Sequence, residues 1–201
     1  QSILEDDFTV FFVDTEPEIL AHASSSTGHV NSSFMEAVPG GWIISGDTRN
    51  DVQFGTHNIQ ANSPNNAAND ADSYIAFLNE AGTWQWAVKP DASQGLVFLN
   101  AMTVGMTGEI YIGGLIYGQV TFGSTTLAEY NSQGDAFVAK LDPQGNWMWA
   151  TSFSTVNGTG VTWVNGLTTT MTGELIASGY QNGDSLIGNV VVNSTDVEYM
   201  L

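Results

Sequence analysis

The chain has 201 residues, of which 42% are apolar, and it carries 21 acidic but only 3 basic side chains, for a formal charge of −18. This composition supports a real buried core, and the absence of cysteine excludes disulfides and thiolate chemistry. Such an acidic surface repels nucleic-acid phosphates and anionic lipid headgroups, and no apolar run reaches the roughly 18 residues of a membrane helix. We therefore expect neither nucleic-acid binding nor membrane insertion.

The first third of the chain alternates short apolar runs with turn residues. Five runs are rich in apolar, aromatic and β-branched residues: 8–13, 19–23, 34–38, 42–45 and 52–59. The sequences Asp14-Thr-Glu-Pro and Pro39-Gly40-Gly41 separate consecutive runs and are typical of turns. This pattern predicts β-strands joined by hairpins.

The rest of the chain continues this alternation. Six runs in the middle third have the same composition: 74–78, 84–88, 96–104, 109–114, 119–122 and 125–128. Five runs follow in the last third: 136–141, 147–153, 161–170, 174–179 and 187–192. Gly, Asn or Asp residues stand between them, and no stretch keeps a helical period over two turns. The sequence therefore predicts an all-β fold of antiparallel strands.

Three landmarks recur in one order along the chain. The first reads DAFVAKLD and then GNWMWA from Asp135, and it returns from Asp72 and, more faintly, from Asp7. The second reads MTGELIASG at 171–179, MTGEIYIGG at 106–114 and PGGWIISG at 39–46. The third is a glycine after an apolar residue, at Phe54-Gly55, Phe122-Gly123 and Ile187-Gly188. A common spacing of about 65 residues defines an internal repeat.

The repeat divides the chain into three consecutive parts, 1–71, 72–134 and 135–201. The first part contains an inserted stretch, 61–71, and the last part ends with the start of a further strand at 196–201. We expect the three parts to form one continuous β-repeat domain.

The pattern DAFVAKLD with GNW, followed by a strand and a hairpin that carries MTGELIASG, resembles the bacterial and archaeal β-propeller repeat called SBBP. The match is best over 135–179, good over 72–114 and poor over 7–46. The resemblance implies a four-stranded blade as the unit and an extracellular multidomain protein without a catalytic motif. The chain departs from the family in its long repeats and in their number, since closed propellers have roughly four to eight blades.

Four-stranded antiparallel blades are predicted over 32–88 and 98–152, staggered relative to the sequence repeat. In this arrangement residues 8–23 supply only the outer half of a blade, and residues 162–192 supply only the inner half of another. The propeller-like ring is therefore expected to be incomplete within one chain.

Six tryptophans are candidates for packing or for ligand contact. Two Trp-x-Trp pairs occupy equivalent positions: Trp84 with Trp86 and Trp147 with Trp149. Residues two apart in a strand share a face, so each pair is expected on one face. The first repeat has Ile19 and Ala21 there, which favours packing between blades over stacking on sugar rings. Trp42 and Trp163 are not repeated and are the better ligand candidates, with carbohydrate as the ligand class.

Asx residues recur at two repeat positions: Asp7, Asp72 and Asp135 at one, and Asp14, Asn79 and Asp142 at the other. A turn is needed in every repeat but a catalytic pair only once, so a structural role is favoured. In the inserted stretch, Asn69, Asp70 and Asp72 place oxygen ligands at the close spacing that suits Ca²⁺. Their spacing is not that of an EF-hand, and a solvated loop is the favoured alternative.

Other candidate sites have weaker patterns. The histidines lack partners at zinc-ligand spacing, so neither a zinc site nor a hydrolytic site is expected. Three residues match the N-glycosylation acceptor pattern: Asn31, Asn157 and Asn193. Apart from calcium, no cofactor is expected.

These observations favour a non-catalytic structural or adhesive protein, extracellular or at the cell surface, over an enzyme. Gln1 in place of Met suggests an exported protein whose leader has been removed. The alternatives are a lectin-like ligand-binding propeller and a fragment of a larger propeller protein.

The two chain ends predict self-association. Residues 196–201 begin a strand like 136–141, so this strand and the outer half-blade at 8–23 compete for one place. Unpaired strand edges recruit other chains, and neighbouring copies are expected to complete each other's terminal blade head to tail. A contact of this kind that does not close builds a filament.

Overall fold

The computed structural model describes residues 8–12, 18–25, 29–62, 72–130, 133–156, 160–187, 190–192 and 197–200. These residues form eighteen strands and no helix, which confirms the all-β prediction. The first nine strands are β1 (Phe8–Phe12), β2 (Glu18–Ser25), β3 (Val30–Val38), β4 (Gly41–Thr48), β5 (Val52–Phe54), β6 (His57–Ile59), β7 (Asp72–Asn79), β8 (Trp84–Val88) and β9 (Asp91–Val104). The others are β10 (Ile110–Phe122), β11 (Thr125–Ala128), β12 (Asp135–Leu141), β13 (Trp147–Thr155), β14 (Thr162–Thr169), β15 (Leu175–Asn182), β16 (Ser185–Ile187), β17 (Val190–Val192) and β18 (Val197–Met200).

Two four-stranded antiparallel arrangements dominate the structure. Strands β3, β4, β7 and β8 form one sheet in that order, and β9, β10, β12 and β13 pair in the equivalent order. They cover the predicted spans 32–88 and 98–152, so both four-stranded predictions are confirmed. Strands β7 and β12 are buried along almost their whole length, which explains why their apolar runs are continuous rather than alternating.

The remaining strands form partial versions of this arrangement. Strands β1, β2, β5 and β6 make one sheet, and β14, β15 and β18 make a three-stranded one. Strand β11 extends the second large sheet at one edge, and β16 with β17 extends it at the other. None of these sheets closes on itself within the described residues, and a three-repeat propeller stays a prediction.

The chain divides into two compact units, Gln1–Lys89 (unit 1) and Pro90–Leu201 (unit 2). In unit 1, Val10 and Ala23 of the first sheet pack against Ile44 and Tyr74 of the second. Phe54, from the β5–β6 hairpin, belongs to the same buried cluster. The cluster explains why the strands of unit 1 carry apolar side chains on the faces that they turn toward each other.

Unit 2 has a core of similar design. Ala136 and Val138 of β12 and Ala101 of β9 pack against Val164 of β14. Gly113 allows this close approach, because a Cβ on Gly113 would lie 2.8 Å from Cγ1 of Val164.

Glycines in the middle of strands correct one sequence prediction. Residues 109–114 and 119–122 were expected to form two strands with Gly114 at an end, but β10 runs without a break from Ile110 to Phe122. Gly114 lies inside it, opposite a register shift that leaves Asn100 of β9 without a partner. A Cβ on Gly114 would overlap the carbonyl oxygen of Phe98, so the glycine is required by strand contact.

The same contact recurs in the β3–β4 and β14–β15 hairpins. Gly46 faces the carbonyl oxygen of Asn31, and Gly179 faces that of Trp163. Register shifts in the preceding strands accompany both glycines, with Ser33 and Asn165 as the extra residues. The glycine that ends each MTGELIASG-like motif therefore has the same structural cause at all three positions.

Candidate functional site

Asp72 is held by protein groups on both carboxylate oxygens. Its Oδ2 accepts a hydrogen bond from the backbone N–H of Asn62 at 2.6 Å, and its Oδ1 accepts one from Nδ2 of the same residue at 2.6 Å. The ammonium of Lys89 forms an ion pair with Oδ1 at 3.4 Å. Both charged side chains are largely buried, so Asp72 fastens the start of β7 to the preceding loop.

The calcium hypothesis for the inserted stretch concerns two further residues, Asn69 and Asp70, which lie outside the described residues. No group of three or more His, Cys, Asp or Glu side chains with metal-binding geometry occurs in the described part of the chain. The calcium hypothesis at Asn69, Asp70 and Asp72 therefore stays a prediction.

Asp135 takes the position of Asp72 at the start of β12, but its surroundings differ. Its Oδ2 accepts a hydrogen bond from the backbone N–H of Tyr130 at 2.6 Å. Only 1% of the residue is exposed, and its buried Oδ1 accepts no hydrogen bond from the described residues. The Oε2 atom of Glu129 is likewise buried and has no hydrogen-bond partner in the part of the chain that the structure describes. Burial raises the pKa of Asp135, and the nearby charge of Glu129 raises it further.

Turn formation explains the other recurring Asx position. Oδ1 of Asn79 accepts hydrogen bonds from the backbone N–H groups of Ala81 and Thr83 at 3.1 and 2.9 Å. Oδ1 of Asp142 does the same for Gln144 and Asn146, at 2.9 and 2.8 Å. The structural role predicted for these two residues is confirmed. The side-chain amide of Asn146 and these backbone donors lower the pKa of Asp142.

The Trp-x-Trp prediction is wrong about the strand faces. In β8, Trp84 pairs with Leu78 and Trp86 pairs with Phe77, so a register shift leaves Gln85 without a partner. Because Phe77 and Leu78 are consecutive, they point to opposite faces, and so do the two tryptophans that face them.

The second pair behaves in the same way. Trp147 faces Leu141 and Trp149 faces Lys140, with Met148 as the extra residue of the register shift. The indole of Trp147 packs against Phe122, whereas Trp149 lies on the other face of the sheet. Each pair therefore contributes one tryptophan to each face. The regular alternation of side chains along a strand could not predict this, because it assumes that no extra residue interrupts the pairing.

The two tryptophans proposed for ligand contact lie in different compact units. Trp42 of β4 is partly buried and packs against the core cluster of unit 1. Trp163 of β14 stacks on Tyr180 of β15, with ring centroids 4.4 Å apart and an interplanar angle of 20°. Both rings of this stack are partly exposed, so Trp163 offers an aromatic surface shared with a second ring.

No sequence motif pointed to the surroundings of Lys140. Its ammonium lies 5.1 Å from the ring centroid of Tyr111 and 3.4 Å from Oε1 of Glu109. Trp149 faces Lys140 from the other neighbouring strand, and its ring centroid lies 6.3 Å from that of Tyr111. A lysine within the apolar run DAFVAKLD was the available signal, since a charge on a covered strand needs a partner.

Among the three asparagines that match the N-glycosylation pattern, only Asn31 lies in the described ranges. It is exposed on β3, and its side-chain amide donates to Asp47 at 3.3 Å. Asn157 and Asn193 lie outside the described residues. His29 lies 3.5 Å from Oδ2 of Asp47, on the exposed side of the same hairpin.

Comparisons with known proteins add no family to this description. No protein-family model matches the chain, and no curated protein matches it. The resemblance to SBBP repeats therefore stays a prediction. No described segment is a helix long and apolar enough to span a membrane.

Proposed function

We propose that this protein is a non-catalytic structural repeat protein of the cell exterior, whose copies join head to tail by strand pairing. The proposal rests on the pairing of β1. Among the described strands, β1 pairs only with β2. The equivalent strands β7 and β12 each have two neighbours, an outer strand on one side and an inner strand on the other.

The open edge of β1 corresponds to the edge by which β7 pairs with β4. That pairing joins eight pairs of residues, from Thr48 opposite Asp72 to Gly41 opposite Asn79. A row of unpaired N–H and C=O groups is a template for another strand. The sequence DFTVFFVD at 7–14 follows the same pattern as DSYIAFLN at 72–79, so β1 has the residues to make this contact.

The acceptor is an inner strand of a neighbouring copy. Strand β15 pairs antiparallel with β18 along the edge that corresponds to the edge by which β4 pairs with β7, and this place would also accept a β1–β2 hairpin. If β1 of the next copy replaces β18 beside β15, then β14, β15 and the incoming β1 and β2 form a four-stranded sheet. Because the donor and acceptor surfaces differ, the contact is heterologous and extends into a filament unless its rotation closes.

Size measurement tests the proposal. The full chain is expected to form oligomers that grow with concentration in sedimentation velocity experiments. Since each copy carries a net charge of −18, added salt screens the repulsion between copies and is expected to strengthen the assembly. Deletion of residues 1–14 should abolish it, and so should Thr9→Pro, while the matched control Thr9→Ala should assemble like the parent.

A folded monomer of 21.5 kDa that persists at high concentration would contradict the assembly. It would favour the alternative in which further repeats of a longer chain supply the strands that pair with β1 and β15. A synthetic hairpin with the sequence of residues 7–25 adds a second measurement, because the proposal expects it to cap the oligomers and shorten them.

A further inference from the structure

Asp72 and Asp135 occupy equivalent positions in the repeat, but their carboxylates have different hydrogen-bond and ion-pair partners. Each begins an outer strand opposite the same point of an inner strand, with Thr48 facing Asp72 and Ile116 facing Asp135. Each Oδ2 accepts a hydrogen bond of 2.6 Å from the backbone of the preceding loop. The two carboxylates therefore have the same position relative to the backbone of the strand and of the preceding loop.

The difference lies at Oδ1. In unit 1 this atom receives the Lys89 ammonium at 3.4 Å and the Asn62 amide at 2.6 Å. In unit 2 it is buried, and no described group donates to it. Strand register makes Ser152 the counterpart of Lys89, because Thr151 faces Val138 as Val88 faces Ile75. The place of the Lys89 ammonium in unit 1 is thus taken in unit 2 by the short hydroxyl side chain of Ser152.

A second carboxylate takes part in unit 2. Glu129 stands where the first repeat has Ala61, and its backbone N–H is anchored to the carbonyl of Gly118 at 2.9 Å. Its Oε2 is buried and has no hydrogen-bond partner in the described structure. Tyr130, the residue that follows Glu129, donates its backbone N–H to Oδ2 of Asp135 at 2.6 Å, so the two acidic residues are close neighbours in space. Burial raises the pKa of Asp135, and the charge of Glu129 adds to this rise against the hydrogen bond from Tyr130.

Two buried carboxylate oxygens without donors need positive charge. Buried ionised groups are costly unless they are paired or coordinate a metal ion. The chain offers few internal cations, since it has only 3 basic residues against 21 acidic ones. Two of these, Lys89 and Lys140, already form ion pairs elsewhere.

We propose that a calcium ion binds at Asp135 and Glu129 in unit 2, in the place that the Lys89 ammonium takes at Asp72 in unit 1. Two carboxylates match the charge of Ca²⁺, which takes six to eight oxygen ligands in flexible geometry. Oδ1 of Asp135 and Oε2 of Glu129 supply the charged ligands, and backbone carbonyls and water complete the shell.

Calcium titration of the full chain tests the site. After treatment with chelator, added CaCl₂ is expected to raise the melting temperature by roughly 5 to 10 °C at a calcium concentration about one hundred times Kd. Asp135→Asn and Glu129→Gln should abolish this response. Asp135→Asn should also melt no lower than the parent without calcium at pH 7, because it removes an unpaired buried charge.

Ser152→Lys is the most informative variant, since it places an ammonium at the counterpart of Lys89. We expect it to raise the melting temperature without calcium and to remove the calcium response. Asp72→Asn is the matched control, which should lower stability but keep the response. Terbium luminescence, excited through nearby aromatic rings, should report binding in the parent and not in Ser152→Lys.

Three results would overturn the assignment. The first is a calcium response that survives both Asp135→Asn and Glu129→Gln but disappears in Asp70→Ala, which would place the ion in the 61–71 stretch. The second is an equal response to Mg²⁺ or Na⁺ at matched ionic strength. The third is an infrared signal of a protonated Asp135 carboxyl at pH 7 in the presence of calcium, which would show a proton shared with Glu129.

Discussion

The indole of Trp84 meets the ring of Phe54 edge-on, with centroids 5.0 Å apart and planes at 80°. The same contact occurs in unit 2, where Trp147 meets Phe122 at 5.1 Å and 78°. In each case the phenylalanine begins the turn of a short hairpin, and the following glycine lies against the tryptophan. This contact fastens the Phe-Gly hairpin to the first tryptophan of the next repeat, and it explains why these two landmarks keep their spacing.

Loss of this contact is expected to destabilise the protein strongly. Phe54→Ala and Phe122→Ala each remove a fully buried ring and should lower the free energy of unfolding by about 3 to 5 kcal/mol. Met148→Ala is the control, since Met148 is 55% exposed and should change stability by less than about 0.5 kcal/mol. Urea unfolding measures both, and equal effects of the buried and exposed substitutions would contradict this account.

The strand contact at Gly114 makes a second prediction. An added methyl group would overlap the carbonyl oxygen of Phe98, which belongs to a paired backbone and cannot move aside. Gly114→Ala is therefore expected to cost about 2 to 3 kcal/mol or more. At Gly105 the nearest atom is the carboxylate end of the Glu109 side chain, which can move. Gly105→Ala should cost less than about 1 kcal/mol. Thermal unfolding measures both variants, and a larger loss of stability in Gly105→Ala than in Gly114→Ala would refute the strand-contact explanation.

The turn at Asp142 predicts a pH-dependent contribution to stability. Because its pKa is lowered in the folded state, chiefly by the Asn146 side chain, the folded protein binds fewer protons at Asp142 than the unfolded chain. Its contribution is present above about pH 4 and is lost as the pH falls through the lowered pKa. Asp142→Ala should therefore cost roughly 1 to 2 kcal/mol at pH 7 and less at pH 3. Asn79→Ala, which removes an uncharged acceptor from the equivalent turn, should cost the same at both values.

The Trp163–Tyr180 stack tests the carbohydrate alternative. If this partly exposed pair binds sugar rings, a glycan array should detect binding by the full chain, and Trp163→Ala should weaken it at least tenfold. Trp149→Ala is the matched control, since that ring is 37% exposed but lies beside Lys140 and Tyr111. Absence of binding by the parent protein would remove this alternative, and retained binding by Trp163→Ala would move the site elsewhere.

Local sequence patterns were sufficient to predict the class of fold and the main strand pairings. Short runs of β-branched and aromatic residues, each ended by Gly, Asn or Asp, identify strands because both signals act within a few residues. The internal repeat then located the two four-stranded spans, since equivalent landmarks such as Asp72 and Asp135 must begin equivalent strands. The roles of Asn79 and Asp142 in turns followed from the same recurrence.

The tertiary structure decided what depends on pairing across strands. One extra residue, Gln85 or Met148, turns each Trp-x-Trp pair to both faces, and only the partner strand reveals that shift. The glycine at position 114 is explained only by the neighbouring strand β9, because the carbonyl oxygen that excludes a side chain there belongs to Phe98. The sequence by itself determined that Asp72 and Asp135 are equivalent. The folded chain decided that one forms an ion pair with Lys89, whereas Oδ1 of the other is left without a donor among the described residues, because a charge finds its partner through space and strand register rather than through spacing along the chain.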